Sequence, residues 1–440
     1  MRPCTLARSA SEGPARTPRW RFGLVSFPTT CGKVPLTPTL SRREKGNTRA
    51  IAGLMAGVLL AAGQAACAAA AEAVPVEGPA FAAELTGVDA QWRVTLRTAD
   101  TKRTLPAEEL VRWGSPAEVR QGSLVVLADG GLLAAEIIEA DKATLSVDSD
   151  LFGLVKLPLE SLAGIVFQSP SDRQARDALL DQVAKAGGTT DRIIFANGDQ
   201  LTGRIDALKS GTLKLQADIG PASVEVSRVR VLVFNPALWR RTAPQGLWAI
   251  AGFRDASRLA VRRLEVDRQS VSLELVGGMK LQSSQPQDLV LLEPRAGRVA
   301  YLSDRRPSGY KQTPFLDLPW PCQADHNVTG GMLRAGGKPY LKGLGVHSAA
   351  RLTYLLEKPY RRFQAELAID DSTQGRGSVQ FRVLLDEREK LRTEIIRGRM
   401  PPLPVSIDLA GVKKLELIVD YADRADELDH ADWLAARLVP

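Results

Sequence analysis

Residues 191–236 read DRIIFANGDQLTGRIDALKSGTLKLQADIGPASVEVSRVRVLVFNP. A short apolar strand runs into Asn197-Gly198, a two-residue hairpin signal. A second strand follows, then a third over Thr212–Gln216, then a fourth. A closing Val/Leu/Phe strand stops at Pro236, where a residue with no N–H to donate suits a strand end. The same order recurs on both sides. Residues 122–170 turn at Asp129-Gly130, carry a third strand at Ala143–Val147 and end at Pro170. Residues 246–294 turn at Arg254-Asp255, carry Val271–Leu275 and end at Pro294. A shorter copy occupies 81–116. A period near 50 residues made of short strands indicates repeated small β units. They resemble SH3-like or Sm-like barrels in topology.

Between two copies, residues 171–188 change period. Ser171 and Gln174 form a capping box, Ala175, Leu179, Leu180 and Val183 share one face, and Gly187 stops the helix. Its stripe is short, so packing on its own unit is favoured over dimerisation.

From about residue 297 the composition shifts to aromatics, glycine and proline. Alternating strands run over Ala350–Leu355, Arg362–Ile369, Ser378–Leu385, Lys390–Ile396, Leu403–Leu409, Lys414–Asp420 and Asp432–Val439. Such strands, with turns every ten residues or so, argue an antiparallel sandwich. All three histidines (His326, His347, His430) fall in this last third. Acids crowd its end: Asp420, Asp423, Asp426, Glu427, Asp429 and Asp432. In a strand His430 and Asp432 share one face, Asp429 and Trp433 the other.

This region resembles the NPCBM family of carbohydrate-binding modules. The resemblance rests on Tyr301-Leu302-Ser303-Asp304, Trp320-Pro321, Val328–Gly331, Gly343–Ser348, Ile369–Asp371, Gly375–Val379, Phe381 and Asp429–Trp433, in family order over about 140 residues. It departs at Leu384–Glu389, a charged hairpin tip where the family has a glycine turn, and it covers nothing before about 297. It implies a galactose-binding-like jelly roll that binds a glycan, of galactose type at the family level, without catalysis.

The residue types agree. Sugar sites need planar polar groups for hydroxyls and an aromatic face for the C–H side of the ring. The candidates are His347, Asp370, Asp371, Arg376, His430, Asp432 and Trp433. Each has a bland alternative: Trp433 as core, the histidines and aspartates as a network that fixes an edge or turn. Jelly rolls of this superfamily also carry structural calcium, for which Asp325 and Asp432 are the candidate ligands. No other cofactor is implied.

Charge excludes further classes. The formal charge of +8 sits in residues 1–50, with ten Lys/Arg and two acids, leaving the other 390 residues neutral. With no basic stripe and interleaved aromatics, nucleic acid is not a partner. Residues 51–71, apolar and preceded by Arg42, Arg43, Lys45 and Arg49, read as a secretory signal with Ala-x-Ala sites through Ala73. Beyond that segment no membrane partner is expected. A secreted, periplasmic or envelope location follows, and translation from Leu40 would give a signal of normal length. Cys322 is alone after the signal, so no internal disulfide forms.

The expected all-β layout is an extension with signal over 1–73, repeat units over 79–170, a helical linker over 171–188, further units over 189–240 and 241–296, and the sandwich over 297–440. The function expected is non-catalytic carbohydrate binding in the envelope. The alternatives are an envelope scaffold whose jelly roll binds protein, with self-association through the repeats, or an accessory part of a glycoside hydrolase system. No nucleophile elbow, zinc helix or phosphate loop favours an enzyme.

Overall fold

In the computed structural model, residues 70–119, 122–315 and 318–440 are described, and all belong to one compact unit. The basic extension and the signal up to residue 69, with Cys4, Cys31 and Cys67, lie outside them.

The four copies are small β units of one plan. The 191–236 copy shows it: Asp191–Phe195, Gln200–Lys209, Thr212–Ala217 and Gly220–Glu225 meander, a single 3-10 turn (Val226–Arg228) follows, and Val229–Val233 closes the unit. Closure is by pairing of last strand with first. Ile193 opposes Leu232, and the same relation joins Val126 to Gly164, Ile250 to Glu293 and Ala73 to Trp113. Each second strand slips register at an equivalent place, between Leu85/Gly87, Ile137/Glu139, Ile205/Ala207 and Val261/Arg263. A bulge bends a strand and raises its twist, which lets a short meander curl closed.

The shorter copy is in fact complete. Ala71–Pro75 pairs with both Phe81–Val88 and Leu110–Gly114, and Ala73 is fully buried. A boundary at residue 73 therefore cuts its first strand. The alanine-rich run continues into AEAVP with no change of composition, so the sequence marks no start there. The units also pair with one another. Closing strands join side by side, Gly164–Val166 with Val231–Val233, and Leu291–Leu292 with Trp113–Gly114. One continuous apolar core runs through all four.

The helix spans Arg173–Ala184, and its N-cap is Asp172, not Ser171: the Asp172 carboxylate accepts from Ala175 N at 2.8 Å. Its buried face is Arg176, Asp177, Leu180 and Val183, while Ala175 is exposed. Leu180 and Val183 pack on Leu124, Val126, Ala163 and Val166 of the neighbouring unit. The face is turned from the apolar stripe because two of its charges are needed inside, as described below.

The C-terminal region is a sandwich of two antiparallel sheets. One runs Gln323–Ala324, Gly343–His347, His430–Val439, Arg362–Ile369, Leu403–Asp408, with Ala300–Tyr301 beside His430–Val439. The other runs Gly309–Gln312, Ala350–Leu355, Lys414–Tyr421, Ser378–Leu385, Arg388–Arg392, with Ile396–Arg397 beside Ser378–Leu385. Between them lie Trp433, Phe363, Phe381, Leu417 and Val419, all fully buried.

The last strand changes parity midway. Ala431 and Trp433 face the core at its start, Ala436 and Leu438 at its end. The switch is Ala435, the extra residue of a bulge opposite Gln364/Glu366, at φ +46. Ala435 and Val439 thereby reach Val76 and Val111 of the first β unit and join the two halves of the protein. Ion pairs tie them further: Arg112 reaches Glu366 at 3.2 Å, and Arg334 lies between Asp177 and Glu118.

Candidate binding site at one end of the sandwich

His347 and His430 are direct cross-strand partners, so their side chains leave the same face of the sheet. Their rings are 5.8 Å apart. Trp320, from the loop after Gly309–Gln312, stacks on His347 at 4.8 Å and 8° and lies 5.9 Å from His430. The loop is tied down from both sides: Trp320 N donates to Gln312 Oε1 at 3.1 Å, and the Tyr310 hydroxyl donates to Trp320 O. Trp320 remains half-buried. Phe315 (57% exposed) and Tyr421 (51%), the latter at the end of a strand of the other sheet, meet each other edge to face at 6.4 Å.

Burial pushes the His347 imidazole down to about 4, helped by the neighbouring His430. Burial also lowers His430, against the pull of Asp370. Near neutral pH both rings are uncharged. Both are largely buried, His347 at 3% and His430 at 7% exposed; His347 Nδ1 is sealed inside and His430 Nδ1 lies against Ser372, so Nε2 is the ring nitrogen left to each for a ligand. Paired neutral imidazoles next to a half-exposed indole can hydrogen-bond hydroxyls and cover an apolar ring face.

The aspartates do other work. Asp370 is 1% exposed and accepts from Asn327 Nδ2, Arg334 N and Ser372 N, each at 2.9 Å. It joins the Asn327 loop and the Leu333–Ala335 strand to its own turn, where Ser372 Oγ lies 3.4 Å from His430 Nδ1. Asp371 accepts from Gly337 N at 2.8 Å and holds the Leu333–Tyr340 hairpin. Asp432 is fully buried against Asp370; burial first, then that charge, raises its carboxyl well above the usual range, so it is held protonated. Asp429 accepts from Ser378 N at 2.9 Å and is pushed up to about 6 by burial. Asp370, Asp429 and Asp432 are sealed within the protein, whereas Asp371 is half-buried.

Trp433 is corrected from platform to core. It is fully buried, edge-on to Phe381 at 5.0 Å, and no sugar can reach it. Asp325 and Asp432 do not share a donor set. Asp325 holds Lys342 Nζ at 2.6 Å and Gly343 N at 3.2 Å, whereas Asp432 lies against Asp370. Among the described residues no three His, Cys, Asp or Glu side chains form a metal-holding group, and these two do not fit calcium. Arg376 is exposed, 3.9 Å from Glu427. The strand pattern missed Trp320, Phe315 and Tyr421. The Pro319-Trp320-Pro321 run was the available signal, since an indole pinned in a loop by prolines has no period to assign it to a core.

The sandwich thus carries an aromatic–imidazole cluster at one end. Residues 298–439 match the family model of the NPCBM/NEW2 domain. Over 114 residues the chain is 32% identical to alpha-1,3-galactosidase B of Akkermansia muciniphila, covering 25% of this chain and 14% of that enzyme. It thus spans about a seventh of the length of that relative. Among solved structures, it is similar to CBM51 from Clostridium perfringens GH95 in complex with methyl-galactose: 23% identity, 32% of this chain, 99% of that one, TM-score 0.30. CBM51-2 with INT domains of Clostridium perfringens ZmpB, in complex with GlcNAc, aligns at 23% identity over 39% of this chain and 36% of that one, TM-score 0.30.

Proposed function

We propose that the sandwich binds a glycan at the Trp320–His347–His430 end, that it does so without catalysis, and that the protein works in the cell envelope or outside the cell. The observation that carries this is the stack of the half-buried Trp320 on a neutral His347 that is paired with His430. Aromatic faces of this kind cover the C–H side of a pyranose, and the imidazoles supply directional bonds to its hydroxyls. Galactose-terminated glycans are the first class to test, given the relatives' ligands and substrates. A non-catalytic role is supported by Asp370 and Asp432, two carboxyls set against each other, being sealed from water.

The test is a glycan array probed with the full chain and with Trp320→Ala. Retention of galactose-terminated glycans by the parent and its loss in the variant supports the reading. A parent chain that retains no glycan, or a Trp320→Ala chain that binds as before, sinks it.

A further inference from the structure

Away from that end, a cleft of about 940 Å³ opens between the β units and the sandwich. Its walls come from the Asp129–Leu132 turn, the helix, the fourth β unit and the strand region around Lys342. Only the assembled protein has it. Small-molecule sites are typically ~300–1,000 Å³, so the space suits a ligand of a few sugar rings or fewer.

The charges on its walls are mostly matched. Lys342 Nζ sits between Asp304 at 2.5 Å and Asp325 at 2.6 Å. Asp181 holds Lys185 at 2.7 Å and His326 at 3.3 Å. Arg295 pairs with Glu293 at 3.0 Å, and Asp177 is spent on Arg334. Asp129 folds back on its own turn, accepting from Gly131 N at 2.9 Å, and burial raises it.

Among the described residues, two guanidiniums on these walls have no carboxylate in ion-pair contact. Among the described residues the hydrogen-bond partner of the Arg258 guanidinium is Met332 Sδ, at 3.9 Å; the acids that act on it, Asp177 and Glu118, are already taken by Arg334. Arg241 is held by two main-chain carbonyls, Ala128 O and Ala184 O, each at 3.1 Å, and lies over the Trp239 ring. One turn brings the two together. Arg258 opposes Leu132 in register, and Arg241 bonds Ala128 just before the same turn. Trp248, half-buried, lines the cleft as well. Uncompensated arginines opening into a cavity with an indole on its wall are a recognition set for a planar anion on a ring.

We propose that this cleft is a second binding site, one that takes a carboxylate-bearing sugar of the uronic acid class, with Arg258 gripping the carboxylate in bidentate fashion and Arg241 flanking it. It is independent of the galactose-type end site. The experiment is calorimetric titration of the full chain with galacturonate and, separately, with galactose. Galacturonate is expected to bind at the cleft, more weakly as salt rises. Arg258→Gln is expected to weaken it at least about tenfold, and Arg258→Lys, which keeps charge but loses the fork, to fall between. Arg241→Gln serves as a second variant, on an exposed side chain, should Arg258→Gln unfold. Trp320→Ala leaves galacturonate binding intact while removing binding at the end site, so the two readings fail separately. Galacturonate binding no tighter than galactose, or unchanged in both folded Arg→Gln variants, overturns the proposal.

Discussion

Replacing Arg334 by methionine tests what joins the β units to the sandwich. Arg334 is 7% exposed. Its guanidinium reaches Glu118 at 2.7 and 3.2 Å and Asp177 at 2.6 and 3.1 Å, and also donates to Met332 O at 3.1 Å. Removing one partner of a buried pair costs about 3–5 kcal/mol, because the other charge stays buried and unmatched. Here Asp177, 9% exposed, keeps Met332 N as a hydrogen-bond donor, and the nearby Arg258 offsets part of its charge, so the cost should be about 4 kcal/mol, the middle of that range. At about 2.1 cal/mol/K of unfolding entropy per residue, a sandwich of ~140 residues melting alone would lose roughly 14 °C, and a single ~370-residue transition roughly 5 °C. Scanning calorimetry gives both the shift and the number of transitions. Arg334→Met with Asp177→Leu should recover part of the loss by removing the stranded charge. A single variant within ~1 °C of the parent, or a double variant no more stable than the single, would refute this account.

Three further outcomes are expected. The His347 base is depressed to about 4, so its stabilisation is present above its unfolded value and lost as pH falls from about 6.5 to 4; the Asp429 acid is raised to about 6, so its stabilisation is present at low pH and lost as pH rises from about 3.8 to 6. Each is worth about 3 kcal/mol in order of magnitude and they oppose, so urea midpoints should fall with pH in His347→Gln and rise with pH in Asp429→Asn, relative to the parent; parallel profiles would count against both shifts. Trp433→Ala should cost about 3–5 kcal/mol of stability as a cavity in the core, read by the same urea titrations, whereas Trp320→Ala should leave the midpoint nearly unchanged. Gly345→Ala would put a Cβ 2.4 Å from His326 O and 2.5 Å from the Asn327 carbonyl carbon; the loop must move, the Asn327–Asp370 bond should break, and the melting temperature should drop, while an unchanged melting curve would show that the loop yields freely.

Most of the strands were legible because each carries its own period. Arg362–Ile369 and Ser378–Leu385 were read at their observed bounds from alternation alone. What alternation does not carry is which face another sheet will cover. It separated Trp433 from His430, yet either face could have been the wet one. The bulge at Ala435 hid the other half of the answer, since an alanine at positive φ gives no signal and reverses every face after it. The helix failed for a related reason. Arg176 and Asp177 look like solvated charges in the middle of a helix, and they are buried because Arg334 and Glu118, more than fifty residues away in sequence, meet them. Long-range charge pairing leaves no local pattern.

That pairing changes what the β units are for. Arg334 uses its side chain to hold Asp177 and Glu118 of the units and its main-chain N–H to hold Asp370 of the sandwich. Asp370 in turn fixes Ser372, which reaches His430, and Asn327, whose loop packs on Gly345 of the His347 strand. From the helix to the imidazole pair the chain of contacts is unbroken, and each link is buried or half-buried. A flexible spacer would end at a linker with few contacts across it. Here the units end in a buried ion-pair cluster one residue from the loop that supports the site, so they act as part of its foundation, and loosening Arg334 should disturb the end of the sandwich as well as the joint.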